Sequence, residues 1–377
     1  MSEHLAELRT PCALVDWGVL EKNCARMSGR ARSLGVVLRP HVKTHKCVEI
    51  ARIQTRGHSS ALTVSTMAEA RAFAAAGFND LTYAVPVPFH AIPEAADLLA
   101  RGTRLSLLLD SEVALRELEA AGSARNLRLP VFLKVDCGYH RAGVDPGREE
   151  SLELARALAA SPHLEFRGIL THSGQAYRCA SAEEALSVAE HERDVMAAFA
   201  GKLRSAGVPV PEVSVGSTPA CCAARDWSGA TEIRPGNYAF FDAFQAAIGS
   251  CALEDALAFT VLATVIGHYP ERKALLLDAG ALALSKDPGA THVDAPCGFG
   301  VLCDVPGRPI RGLRLGSLSQ EHGQVVVSDP TLFARMPLGS KVRIIPNHSC
   351  LAAACFRSYV VLKEGRVDGE WDTVRGW

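Results

Sequence analysis

Residues 39 to 46 read Arg-Pro-His-Val-Lys-Thr-His-Lys, with one lysine, Lys43, set among histidines and other cations. The apolar run Gly35-Val36-Val37-Leu38 ends at Arg39-Pro40. Proline has no N–H to give a strand ladder, so the strand should stop there and place Lys43 in the loop at its exit. Arg39, His41, His45 and Lys46 crowd that lysine along the chain. Neighbouring cations disfavour a further positive charge, so the sequence predicts a lowered pKa for Lys43 and some free amine near neutral pH. A free amine is the nucleophile that a Schiff base to an aldehyde requires. The octapeptide alone suits a basic surface loop equally well.

Other apolar runs end in chemistry-bearing residues. Val135-Asp-Cys-Gly-Tyr-His-Arg141-Ala-Gly143 offers Arg141 as a cation for a carboxylate or phenolate. Thr171-His172-Ser173-Gly174 puts an imidazole ring at the next strand end. Val215-Gly216-Ser217-Thr218-Pro219 supplies glycine and hydroxyl groups at a helix start, which is a ready phosphate site, and Arg234-Pro235-Gly236-Asn237-Tyr238 supplies a second glycine turn. Each alone is explained by ordinary turn chemistry, but their recurrence in successive units argues for one site. Near the C-terminus, Asn347-His348-Ser349-Cys350 follows a strand-like run. In extended backbone, residues two apart face one side, so His348 and Cys350 are candidate ligands of one metal ion. Two protein ligands are too few for a closed structural zinc site and would leave positions for water or substrate.

These residues need a scaffold. At 377 residues the chain can hold an α/β barrel of about 250 residues plus a smaller domain. Short apolar runs alternate with helical patterns from Ala13 to Ile233, without a G-x-G-x-x-G fingerprint. That alternation predicts parallel strands with crossover helices, closed as a (β/α)8 barrel, over residues 1–245. The nine candidate strands begin with Ala13–Val15. Residues 246–377 change to strands separated by Gly/Pro/Asp turns, which predicts a mainly antiparallel β domain carrying the metal pair.

Composition excludes several classes. Lys+Arg 40 against Asp+Glu 41, without a block of like charge, gives no reason to expect nucleic acid or a membrane surface as partner, and a small molecule fits better. No uncharged run reaches membrane-spanning length, and the first residues lack a signal-peptide pattern, so a cytoplasmic location is expected. The 12 cysteines are scattered without C-x-x-C spacing, as buried reduced thiols would be.

The Lys43 octapeptide, Asp-Cys-Gly-Tyr-His-Arg-Ala-Gly-Val, Gly-Ser-Thr-Pro, Arg-Pro-Gly-Asn-Tyr and Gln320-Glu321-His322-Gly323 together resemble the D-serine dehydratase and D-threonine aldolase family. These are fold-type III pyridoxal 5'-phosphate enzymes with an alanine racemase-like N-terminal barrel, and the likeness runs from about Thr10 to Trp377. The resemblance implies that Lys43 is the cofactor-bearing lysine, that His172 packs on the pyridine ring, and that Arg141 lies near the phenolate. It implies that Gly216, Ser217, Thr218, Gly236, Asn237 and Tyr238 surround the phosphate, and it aligns Arg234 with the racemase arginine facing the pyridine nitrogen. It makes His348 and Cys350 the ligands of a divalent metal, with Glu321 and His322 as supporting groups.

The activity so implied is a lyase reaction on a D-3-hydroxy amino acid in a homodimer. Loss of water after Cα deprotonation gives a 2-oxo acid and ammonia, whereas cleavage of Cα–Cβ gives glycine and an aldehyde. Cysteine at 350 resembles the zinc-bearing dehydratases, while aldolases of the family can carry aspartate there and prefer harder metals such as Mn2+ or Mg2+. The expectation is therefore a zinc-assisted dehydratase of D-serine, D-threonine or D-3-hydroxyaspartate. A racemase would need a second base, and the tyrosines after residue 245 are Tyr269 and Tyr359. A non-catalytic pyridoxal phosphate carrier would not need the β domain.

Overall fold

The computed structural model describes residues 3–295 and 297–377. The described residues pack as two compact units, one of residues 27–236 with 374–377, the other of residues 3–26 with 237–373.

The first unit holds eight parallel strands. Numbering all strands in chain order, β1 is Cys12–Asp16, and the barrel strands are β2 (Val37–Leu38), β3 (Leu62–Val64), β4 (Asp80–Tyr83), β5 (Arg104–Leu109), β6 (Leu129–Lys134), β7 (Leu164–Leu170), β8 (Glu212–Val215) and β9 (Glu232–Ile233). Their order is β2-β9-β8-β7-β6-β5-β4-β3. A parallel bridge between His41 and Thr63, with Thr63 N–H donating to Pro40 O, joins the two ends of this order and closes the barrel. Val, Leu and Ile make up the largest share of these strands and most of their side chains are buried, inside by one another and outside by helices. Glycine solves one close approach: Gly168 in β7 has φ +132°, and any Cβ there would strike the carbonyl oxygen of Glu212 in β8.

The second unit is built on a nine-stranded sheet. Its strands are β1 and β10 (Phe259–Tyr269), β11 (Ala274–Leu277), β12 (Gly300–Cys303), β13 (Leu313–Leu318), β14 (Gly323–Val327), β15 (Lys341–Pro346), β16 (Ser358–Lys363) and β17 (Arg366–Asp372). Pairing is antiparallel except where β1 runs parallel to β16. Residues 13–15 thus form a strand, but not one of the barrel. They lie antiparallel to β10 and parallel to β16, because Leu14 completes an apolar cluster with Leu262 and Leu362. The division expected at residue 245 differs from the packed units at both ends of the barrel segment. The chain passes between the units inside helix Trp17–Ser33, at Gly236–Asn237 and at Thr373–Val374.

Candidate active site

Lys43 lies in the short 3-10 turn Val42–Thr44, at the exit of β2. His41 precedes it, and its Nδ1 accepts the N–H of Lys43 at 3.4 Å. His41 N–H in turn donates to Pro235 O after β9. Gly236 leaves room for this turn, since a Cβ there would come within 2.8 Å of His41 O. The Pro40 stop and the barrel closure together fix where Lys43 emerges.

The charges around Lys43 differ from those adjacent in sequence. Arg39 is buried and ion-paired, Nε to Glu232 Oε2 at 2.7 Å and Nη1 to Asp80 Oδ1 at 2.7 Å. Lys46 pairs with the buried Glu69 at 3.0 Å. His45 is buried, accepts Cys47 N–H on Nδ1 and meets Gln54 Oε1 with Nε2, and burial lowers its pKa to about 4. These three are compensated or neutral. The cations that act at this end of the barrel come from other strands. His172 is pushed well below its ordinary pKa by burial and then by Lys43, Lys134, Arg141 and Arg234, and His41 by burial and then Lys43, Arg234 and His172. Both imidazoles are therefore neutral.

Lys134 went unnoticed in the sequence. It ends β6, is almost fully buried, and burial, reinforced by Arg234, lowers it to about 7. A lysine terminating the apolar run Val131-Phe132-Leu133 was a legible signal of a charge inside the barrel.

Arg141 is exposed and lies in the loop Asp136–Val144, shaped by Asp136. Oδ1 of that carboxylate accepts the N–H groups of Gly138 and His140, and a bridge from Val135 to Val144 closes the loop. The Arg141 guanidinium sits 5.1 Å from the centre of the Tyr139 ring, and Tyr139 meets His172 edge to face at 6.0 Å. Tyr139 is thus a second residue that motif reading passed over, although it lies inside the Arg141 motif.

After β8, Gly216 has φ +103°, and a Cβ would come within 2.6 Å of Cys221 Sγ. Ser217 caps the helix Thr218–Ala223, its Oγ accepting Ala220 N–H. Thr218 Oγ1 is buried with no hydrogen-bond partner among the described residues. A buried, unpartnered hydroxyl beside a glycine turn fits an anionic oxygen from a bound group. Arg234 is buried, with its guanidinium donating to Ser214 Oγ and the carbonyl of Thr171. It therefore ties strand ends together inside the barrel.

In the β unit, Asn237 and Tyr238 form a buried 3-10 turn. Asn237 Nδ2 donates to Asp242 Oδ2 at 2.8 Å and Ser349 Oγ at 2.9 Å, and approaches Cys350 Sγ at 3.6 Å. Its side-chain donor is thus committed to the His348–Cys350 segment and not to a phosphate. Asp242 also accepts Ser349 N–H at 2.9 Å.

His348 and Cys350 are brought together, but not as neighbours on a strand. β15 ends at Pro346, His348 precedes the helix Ser349–Ala353, and Cys350 lies in that helix's first turn. The imidazole and thiol are in hydrogen-bond contact; burial opposes charge on His348, but Cys350, Asp287 and Asp242 outweigh it and raise its pKa to about 11. Nδ1 of His348 meets Asp287 Oδ2 at 3.0 Å. That leaves Nε2 as the nitrogen for an ion, with a carboxylate orienting the ring from behind. Among the described residues no cluster of three or more His, Cys, Asp or Glu forms a larger ligand set. Glu321 and His322, expected beside the pair, lie exposed in the turn between β13 and β14, and Asp287 holds the position next to His348 instead. Asn347, whose amide donates to Asp287 O and Gly298 O, braces the same loop.

Comparison with known proteins bears on this arrangement. The alanine racemase N-terminal domain profile matches residues 15–243, and the serine dehydratase domain profile matches residues 258–362. The chain is 40% identical to the D-threo-3-hydroxyaspartate dehydratase of Delftia sp. (strain HT23), over 100% of both chains. The chain belongs to the D-serine dehydratase and D-threonine aldolase family. This family of fold-type III enzymes is pyridoxal phosphate-dependent, and its members are lyases. The D-serine dehydratase of Dictyostelium discoideum is 38% identical over 96% of this chain and 95% of its own. A solved D-threo-3-hydroxyaspartate dehydratase, described as a cysteine-to-alanine mutant in the metal-free form, superposes with a TM-score of 0.95 at 39% identity, covering 100% of both chains. Among the described residues no helix is long and apolar enough to cross a membrane.

Proposed function

We propose that this chain is a pyridoxal phosphate- and divalent-metal-dependent lyase that dehydrates D-3-hydroxy amino acids to a 2-oxo acid and ammonia. D-threo-3-hydroxyaspartate, D-serine and D-threonine are the candidate substrates, since relatives acting on the first and second, by name, align over nearly the whole chain. The observation that carries the reading is the imidazole–thiol pair of His348 and Cys350 with Asp287 behind the imidazole. Thiolate and imidazole suit zinc, and two protein donors leave positions open for water or substrate. The metal-free description of a relative's cysteine mutant supports the same assignment.

When bound, the cofactor supplies an electron sink for charge at Cα and the ion a Lewis acid for the β-hydroxyl. Lys43 would hold the cofactor by its Nζ, and the same amine, when free, would take the Cα proton. A single base on one side of Cα makes the reaction selective for the D-enantiomer. His172 offers an uncharged ring to the cofactor's ring, because a charged imidazole is disfavoured by burial among four cations. Arg141 supplies the cation for the phenolate oxygen. Gly216, Ser217, Thr218 and Gly236 receive the phosphate, with the buried Thr218 hydroxyl as one donor. Domain roles follow: the barrel holds the cofactor and the β unit the metal.

A racemase reading is weaker. Tyr359 is fully buried against Phe240 and Phe259 and is not placed to act as a second base, and Tyr269 lies under the guanidinium of Arg272. The scattered cysteines, without C-x-x-C spacing, support a reducing, cytoplasmic setting, and the family resemblance supports a homodimer.

The test is to incubate purified protein with each D-substrate, its L-enantiomer and D-alanine, with zinc, with manganese and after chelation. Keto acid and ammonia from D-substrates, lost on chelation, is the expected result. Glycine plus aldehyde would make it an aldolase, and interconversion of D- and L-alanine a racemase.

A further inference from the structure

The helix Ala182–Ser205 buries Ala185, Ala189, Met196, Phe199 and Leu203 along one stripe, and Glu192 sits on that stripe at the same spacing, fully buried. A carboxylate in a core position is expensive unless both oxygens are satisfied. Here they are. Oε2 accepts the hydroxyl of Ser173 at 2.7 Å, and Oε1 accepts the N–H of Gly216 at 2.9 Å. Ser173 is the residue after His172, and Gly216 opens the turn that leads to Ser217 and Thr218. The hydroxyls of Ser173 and Ser217 are themselves 3.2 Å apart. One side chain from an outer helix thus reaches through to two adjacent strand ends.

We propose that Glu192 is a positioning residue, clamping the His172 strand end to the Gly216 turn so that the surfaces receiving the cofactor's ring and phosphate are held as one unit. This rests on the pyridoxal phosphate reading above. Gly216 needs the clamp because its left-handed φ is reached without side-chain packing of its own, and its N–H has to find an acceptor in the interior. The carboxylate also faces Lys134 and Arg234 and offsets their charge within the barrel. An aspartate, shorter by one methylene, cannot span both partners. A glutamine can: its oxygen accepts Gly216 N–H while its NH2 faces Ser173 Oγ, whose hydrogen turns to Ser217.

The test uses Glu192→Ala, Glu192→Asp and Glu192→Gln in the full chain, each checked for fold by far-UV circular dichroism and melting. Apoprotein is titrated with pyridoxal phosphate and, separately, with pyridoxal, and the visible circular dichroism of the bound cofactor is recorded. The clamp predicts at least tenfold weaker pyridoxal phosphate binding in the Ala and Asp variants, a smaller loss for pyridoxal, and an altered visible dichroic band. Glu192→Gln should stay within about threefold of wild type. Equal losses for both ligands without rescue by Gln, or wild-type affinity and dichroism in the Ala variant, would overturn the inference while leaving the functional reading intact. Failure of the wild-type chain to bind pyridoxal phosphate would sink both.

Discussion

Asp287 Oδ2 lies 3.0 Å from His348 Nδ1, on the far side of the imidazole from the nitrogen left for an ion. The carboxylate is itself anchored, its other oxygen accepting Gly289 N–H at 2.9 Å, while Asn347 ties the Asp287 carbonyl to the same strand exit. The ring is therefore held in one orientation by the protein's own groups. Removing such a carboxylate weakens metal binding by about 10–100-fold in comparable sites. Asp287→Ala should lower zinc affinity in that range, read by chelator competition and metal content, with the melting temperature of the metal-free protein little changed. Cys350→Ala should abolish stoichiometric zinc while the cofactor remains bound. Unaltered zinc content in both variants would remove the pair from the metal site.

Lys43 and Lys46 are separated by their partners as well as by sequence. Lys46 Nζ is held at 3.0 Å by Glu69, whose carboxylate also accepts the N–H and hydroxyl of Ser65, so it is not available to a carbonyl. Borohydride reduction of the holoprotein followed by peptide mapping should mark Lys43. Lys43→Ala should lose the visible absorption of lysine-bound cofactor. Label on Lys46 or on the buried Lys134 would reassign the site.

Gly174 faces the ring of Tyr139 so closely that any Cβ would overlap it. Tyr139 also meets His172 and lies under Arg141, so one methyl group at 174 displaces a ring touching both proposed cofactor contacts. Overpacking of this kind costs about 1–3 kcal/mol. Gly174→Ala should melt a few degrees lower and lose turnover disproportionately, whereas Gly201→Ala, where a Cβ meets nothing within 4 Å, should melt at or above wild type with its turnover intact. Equal effects in the two variants would count against a role for Tyr139.

The barrel strands were legible because short, mostly buried apolar segments recur between helical patterns and end in polar or glycine turns. β1 was legible as a strand but not in its allegiance, since Ala13-Leu14-Val15 carries no mark of which sheet will cover it. β17 carries little strand signal because Arg366-Val-Asp-Gly-Glu-Trp-Asp372 is largely exposed and charged, and its pairing depends on the two-residue turn Glu364-Gly365, both at positive φ. Lys43, His172, Arg141 and the His348–Cys350 pair could be named because they sit in recognisable strings. Glu192 and Asp287 could not, since each acts through a partner remote in sequence. Glu192 did leave a trace, as the one acid on an apolar helical stripe.

His45 gives the fold a pH dependence whose sign follows from its hydrogen bonds. Cys47 N–H donates to Nδ1 and Nε2–H points at Gln54 Oε1, so a proton added at Nδ1 would face the Cys47 donor in a buried site. Its folded pKa is about 4 against an ordinary 6.5. Between those values the unfolded chain binds the proton and the folded chain does not, so stability rises with pH across that window. Full stabilisation is present above pH 6.5 and is lost progressively as pH falls towards 4. The span corresponds to a contribution on the order of 3 kcal/mol. His41 and His172 are shifted the same way, while the raised Glu192 and Asp242 act in the opposite sense, so the single-residue share has to be read as a difference. Urea midpoints of wild type and His45→Gln, measured from pH 4 to 7, should converge as the pH is lowered, because the variant lacks this histidine's penalty. A constant offset between the two curves across that range would show that His45 is not the titrating group.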